Sequence, residues 1–295
     1  MFTIFGVPSA ALFGQLLIGL INGSFYALLS LGLAVIFGML NIINFAHGAQ
    51  YMLGALTAYL LLQVAGIGYW PSLIIAPLVV GVFGMVIERF FLQWLYKLDH
   101  LYGLLLTFGL ALIIEGVCRH YFGTAGLPYG LPESLQGGRN LGFMFLPNYR
   151  AWVIVASLTV CLSTWLLIER TRIGAYLRAA TENPTLVRAF GINVPRMITL
   201  TYGFGAALAA FAGVMAAPIY NVPPNMGSEL IIVVFAVVVI GGMGSILGAI
   251  VTGFALGVVE GLTKVFFPEA SATVIFVIMA IVLLVRPAGL FGRRA

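Results

Sequence analysis

Apolar residues run through this chain in long blocks, and a few polar interruptions divide them. A helix crossing the roughly 30 Å hydrocarbon core of a bilayer needs about 20 apolar residues, within a range of about 17 to 25. Blocks of that size lie near 12–38, 48–65, 71–92, 101–122, 151–168, 200–217, 230–246, 247–264 and 270–286. The first is long enough to be tilted or broken, and Asn22, Gly23 and Ser24 interrupt it. The seventh and eighth are continuous, and Gly241-Gly242-Met243-Gly244-Ser245 supplies glycines that turn the chain between them. The pattern predicts one transmembrane domain over 1–295, without a linker, low-complexity tail or soluble domain.

The longest polar interruption, 169–199, carries Arg170, Arg172, Arg178, Arg188 and Arg196, five of the fourteen Lys and Arg. It contains a compact helix signal. Asn183 is suited to cap a first turn, and Pro184 to the first helical position, where its missing N–H costs nothing. Gly191 is suited to the left-handed conformation that ends a helix. A short helix stopped at both ends is therefore expected between two spans, as a handle for a water-soluble partner.

Composition sharpens the class. The 295 residues are 62% hydrophobic and 8% charged, whereas a soluble domain carries roughly 25% charge. Too few ionic groups are present to cover a water-facing surface. The net charge of +5 is explained by topology rather than by nucleic acid, because Lys and Arg gather on the cytoplasmic side of membrane proteins. With 169–199 and the C-terminal Arg286, Arg293 and Arg294 cytoplasmic, an even number of crossings joins them, so 230–264 crosses twice. Counting backwards places 123–150 outside, Lys97 and Arg89 inside and the N-terminus outside. The first charge is Glu88, so no basic region of a cleavable signal peptide precedes the first block. Cys118 and Cys161 sit in apolar runs and read as small buried hydrophobes.

Candidate chemistry is sparse. Asn41-Ile42-Ile43-Asn44-Phe45-Ala46-His47-Gly48 is a polar knot between two apolar blocks. It reads either as a turn whose side chains cap helix ends, or as irregular backbone lining a translocation path. Asn22 reads either as a packing position or as a path-lining group. Gly241–Ser245 with Gly248, Gly253 and Gly257 forms a small-residue face for close helix packing, compatible with a pore-lining stripe that would include Gly241 and Gly242. Glu115 and Arg119 are spaced for an ion pair on one helix face. Of the acids, only Glu260 and Glu88 approach mid-membrane depth, which argues against a proton relay. His47, His100 and His120 are scattered, without metal-ligand spacing. No phosphate loop is present, so ATP-driven work would need a second polypeptide.

Several segments taken together resemble one family. They are 41–48, Arg178-Ala179-Ala180-Thr181-Glu182-Asn183-Pro184 with Phe190-Gly191-Ile192-Asn193-Val194, Ala216-Ala217-Pro218-Ile219-Tyr220, Gly241–Ser245, and Val285-Arg286-Pro287-Ala288-Gly289-Leu290-Phe291-Gly292. In order and spacing the chain resembles the smaller permease subunit of the high-affinity branched-chain amino-acid ABC importers. The resemblance implies an all-α integral membrane protein, a polytopic bundle of about 8–9 spans with the ABC importer permease fold. It implies a bacterial inner-membrane subunit with two cytoplasmic ATPases, a homologous second permease and an external substrate-binding protein, no cofactor of its own and no nucleic acid. It also makes 178–193 the segment that docks in an ATPase groove, through Arg178, Glu182, Asn183, Pro184, Val187, Arg188 and Gly191. A Leu, Val and Phe face would enter the groove, with Arg178 and Arg188 at acidic rims. Asn22, Asn41, Asn44 and His47 are the expected polar groups on or near the path. Phe45 suits the amino-acid branch of the family, while Val233 replaces a basic residue common among its members. The competing class is an ion-coupled secondary transporter acting alone, which would depend on Glu115 or Glu260.

Overall fold

The computed structural model describes residues 3–4, 7–40, 42–96, 98–142 and 144–292. Asn41, Lys97, Arg293 and Arg294 lie outside the described residues. The first long helix, α1 (Ser9–Leu40), runs 32 residues without a break, roughly 48 Å at 1.5 Å per residue. Asn22, Gly23 and Ser24, which interrupt the apolar run in the sequence, do not break the helix. The Ser24 hydroxyl donates to the Leu20 carbonyl one turn back at 2.9 Å, and Gly23 seats against the backbone of Phe254. Small polar residues stay helical here because a neighbouring helix, rather than lipid, covers them.

Ten helices follow: α2 (Ala46–Ala65), α3 (Tyr69–Phe90), α4 (His100–Phe122), α5 (Asn148–Arg170), α6 (Arg172–Glu182), α7 (Pro184–Ala189), α8 (Val194–Tyr220), α9 (Met226–Gly241), α10 (Ile246–Phe266) and α11 (Val274–Val285). Among the described residues each apolar block read from the sequence forms one helix: α1 to α5 and α8 to α11. Among the described residues six helices are long and apolar enough to cross a membrane: α1, α3 with the turn that follows it, α4, α5, α8 and α10. The 16 residues of α9 and 12 of α11 are shorter. The break between α9 and α10 falls at the predicted glycines, where Gly242 and Gly244 take φ of +101° and +80°.

Close backbone approach organises the interior. A side chain at Gly19 or Gly23 of α1 would strike α10, and one at Gly253, Gly257 or Gly261 of α10 would strike α1. Gly54 of α2 lies on Ala210 of α8 in the same manner, and Gly213 of α8 lies on Tyr51. Without a hydrophobic drive between helices in lipid, this dispersion contact is what associates them. The outer helices turn apolar rows outward, including Leu78 and Val82 of α3, Leu105 and Leu112 of α4, and Leu284 of α11.

The two ends of the bundle differ. One end carries 123–147, with an antiparallel pair of short strands, β3 (Gly138–Asn140) and β4 (Phe145–Pro147), following the β1 (Thr3–Ile4) and β2 (Val7–Pro8) pair at the start of the chain. Leu127 bridges to Val222, and the Tyr149 hydroxyl donates to the Met215 carbonyl at 2.8 Å. The other end carries α6, α7, the glycine turn and the segment 286–292. That segment is held by Leu290 N–H donating to the Ile240 carbonyl at 2.8 Å and Phe291 N–H to the Gly241 carbonyl at 3.1 Å.

Candidate functional site

The basic segment folds as two short helices rather than one. α6 was not anticipated. It turns sharply off α5 because Gly174 leaves room for the Ile168 carbonyl, where any side chain would collide. Arg178 holds the corner, its Nη1 donating to the Ile168 carbonyl at 3.0 Å and to Glu169 Oε2 at 2.8 Å. The guanidinium expected at a partner's rim is thus engaged within the chain. α7 matches its sequence signals: Asn183 Oδ1 accepts from Leu186 N–H at 2.9 Å, Pro184 opens the helix, and Gly191 follows it at φ +81°.

The expected Leu, Val and Phe face divides in two. Leu186 is 54% and Phe190 76% exposed, whereas Val187 is 6% exposed. Phe190 follows the last residue of α7, so the helix does not carry it onto the face of Val187. Val187 instead packs with Ala180 and Val194, against Met39 at the end of α1 and Met197 of α8. Val187 therefore anchors α7 to the bundle and does not enter a groove, while Leu186, Arg188 and Phe190 stay outside. Glu182 is exposed beside them and lines a crevice of about 580 Å³ with Glu169, Arg178, Gly244 and Phe291.

The expected path residues do not converge. Asn44 and His47 are buried, and His47 Nε2 lies 3.0 Å from the Leu29 carbonyl of α1, in space opened by Gly32. The knot around Asn44 is a turn closed by α4, since the Thr107 hydroxyl accepts from Phe45 N–H at 3.2 Å and contacts the Ile43 carbonyl at 3.2 Å. Gln50, one turn on, donates to the Tyr202 hydroxyl at 3.2 Å. Gly241 and Gly242 are buried at the far turn, against Gly248 and against Gly289 and Gly292. They are packing positions, and Met243 to Ser245 line the crevice in their place. Asn22 lies elsewhere, in a cleft of about 240 Å³ shared with Phe25, Tyr26, Tyr51, Tyr220 and Glu229. Its Oδ1 accepts from the Tyr220 hydroxyl at 3.2 Å. Tyr51 was missed from sequence because it reaches the cleft from α2, and it meets there Tyr220 from the end of α8 and Glu229 from α9.

Glu115, Glu260 and Glu88 each have a partner. Glu115 pairs with Arg119 at 2.6 Å, as its spacing predicts. Glu260 pairs with Lys264 and accepts from the Tyr26 hydroxyl at 2.7 Å. Glu88 is buried and accepts from Tyr96 at 2.6 Å and from Thr199 near the start of α8.

A family model described as a branched-chain amino acid transport system permease component matches residues 15–284. The chain is 32% identical over 292 residues to the high-affinity branched-chain amino acid transport system permease protein BraD of Pseudomonas aeruginosa, covering 95% of each. It is 30% identical over 294 residues to permease protein LivH of Escherichia coli, again covering 95% of each. Against the E. coli permease protein LivM it is 28% identical over 291 residues, 90% of this chain and 67% of LivM. No solved structure matches it.

Proposed function

This chain belongs to the branched-chain amino acid transport permease family, and from that premise we propose how it couples to its partners and moves cargo. It is a permease subunit of an ABC importer and not itself an enzyme; ATP is hydrolysed by other subunits. We place it as a single nine-crossing domain in the bacterial inner membrane, with α6, α7 and the C-terminus in the cytoplasm. The clustering of five Arg in 169–199 supports that orientation. Its partners are two cytoplasmic ATPases, a second permease of the LivM kind, an external substrate-binding protein and surrounding lipid. The cargo is a branched-chain or related amino acid. The chain needs no cofactor.

One observation carries the coupling assignment. α7 is capped at both ends, rooted in the bundle by Val187, and turns Leu186, Arg188 and Phe190 outward. Two apolar side chains flanking a cation suit a shallow apolar groove with an acidic rim. Closure of the ATPases pushes α7, and the Ala180–Val187–Val194 cluster passes that displacement to α8 and to Met39 of α1. Those two helices meet again at the opposite end of the bundle, where Tyr220 bonds Asn22. Rocking them about the glycine seam with α10 opens and closes the path. Asn44 and His47 lie between the two ends and stay assigned near the path, together with Asn41.

The decisive measurement is stimulation of ATPase activity by loaded binding protein in the reconstituted complex. Arg188→Glu and Gly191→Pro complexes should assemble yet lose most of that stimulation; proline cannot take a φ of +81°. Unchanged stimulation and uptake in both variants would remove the coupling assignment.

A further inference from the structure

Tyr51 is fully buried, yet its hydroxyl has no hydrogen-bond partner among the described residues. A buried polar group left unpaired costs about 1–3 kcal/mol, so a packed interior rarely keeps one without a use. Tyr51 forms part of the wall of the 240 Å³ cleft that also holds Asn22, Tyr220 and Glu229. That volume lies just under the roughly 300–1,000 Å³ of drug-sized ligand sites, the scale of one small molecule.

Among the described residues the lining contains the Glu229 carboxylate and no Lys, Arg or His; the cation Arg150 acts on Tyr220 from outside the lining. Glu229 Oε1 accepts from the Asn225 amide, and a carboxylate offers further acceptor sites beyond that bond. Phe25 and Tyr220 stand edge to face at 5.8 Å, and aromatic faces attract cations. Phe25, Met226 and Leu230 supply an apolar wall. Tyr26 is fixed from behind, because its hydroxyl donates to Glu260, itself paired with Lys264. Asn22 is likewise fixed by Tyr220. The lining is therefore held in place before any ligand enters.

We infer that this cleft is a binding site for a small aliphatic α-amino acid. The ammonium group meets Glu229 and the aromatic faces, the aliphatic side chain lies on Phe25, Met226 and Leu230, and a carboxylate oxygen accepts the Tyr51 hydroxyl. With one acid and no cation in its lining, the cleft recognises the ammonium end more strongly than the carboxylate end. The inference rests on the importer reading only in taking this ligand to be the cargo. The ligand closes the Asn22–Tyr220 end of the path between α1 and α8.

Calorimetric titration of the purified complex, without binding protein, separates the contributions. The probes are L-leucine, 3-methylbutylamine, which lacks the carboxylate, and 4-methylpentanoate, which lacks the ammonium. Leucine and the amine should bind, and the acid should bind about tenfold or more weakly, a difference near 1.4 kcal/mol. Glu229→Gln should erase the preference for the ammonium compounds. Tyr51→Phe removes a hydroxyl that holds no bond among the described residues, so it should fold normally, weaken leucine about tenfold and leave the amine unchanged. Equal binding of amine and acid, unchanged leucine binding in both variants, or no binding of any probe overturns the inference. ATPase stimulation by loaded binding protein, read on the same preparation, keeps the two readings apart. Its absence with probe binding intact sinks the importer mechanism and leaves the cleft standing.

Discussion

At the residue scale, glycine decides this protein more than any charged group does. Gly257 sits where a side chain would meet the Gly19 carbonyl and the Gly23 backbone of α1, whereas Gly116 on α4 faces open space. The same substitution should therefore have opposite signs at the two sites. Gly257→Ala should destabilise by about 1–3 kcal/mol through overpacking. Gly116→Ala should stabilise by roughly 0.5–1 kcal/mol through lower chain entropy. Thermal or denaturant unfolding in detergent reads both, and equal effects would refute the glycine seam. The stripe Gly248, Gly253, Gly257 was visible in sequence as a packing face, because small residues at helical spacing have few other uses in lipid. What it packs against was not visible, since Gly19 and Gly23 lie more than two hundred residues away in the chain. The packing role read for Asn22, Gly23 and Ser24 was likewise legible in kind, while the helix that covers Gly23 was not.

At the element scale, α7 was the most legible piece of the molecule. Its start and stop are local: a side-chain acceptor at Asn183, a proline whose missing N–H costs nothing, and a glycine free to take positive φ. Asn183→Ala removes the Oδ1 acceptor for Leu186 N–H and should cost about 1 kcal/mol. Only α7 should fray, so hydrogen exchange should quicken at 186–189 while α8 and α10 remain protected. Exchange rising equally throughout would mean that the cap supports the whole bundle. The neighbouring α6 was not legible. Its geometry depends on Gly174 meeting a carbonyl of α5 and on Arg178 tying the corner to Glu169, neither of which has a local pattern. The split of Leu186 and Phe190 from Val187 was not legible in helical spacing, which pairs residues three and four apart; the packing of Val187 on Met39 and Val194 set it.

At the scale of the whole molecule, α1 and α8 meet at both ends of the bundle, through the α7 root at one end and the Tyr220–Asn22 bond at the other. Under the proposed coupling, these two contacts carry to α1 and α8 a force that the partner ATPases generate. Purification through this subunit should recover a second hydrophobic chain and two ATPases, read by mass spectrometry of the co-purifying bands. Accumulation of amino acid by the reconstituted chain alone would refute that assembly. The sequence by itself determined the membrane class, the positions of the apolar helices, the break at Gly242 and Gly244, and the capped α7. Hydrophobic run length, cap chemistry and glycine dihedral freedom act over a few neighbouring residues, so they are written locally. Only the tertiary structure decided that Gly241 and Gly242 pack rather than line a path, and that Arg178 is engaged within the chain. It alone set Asn22 beside Tyr51 and Glu229 in one cleft. Those outcomes depend on helix pairs chosen by shape complementarity across long stretches of chain, and no local spacing records which surfaces fit.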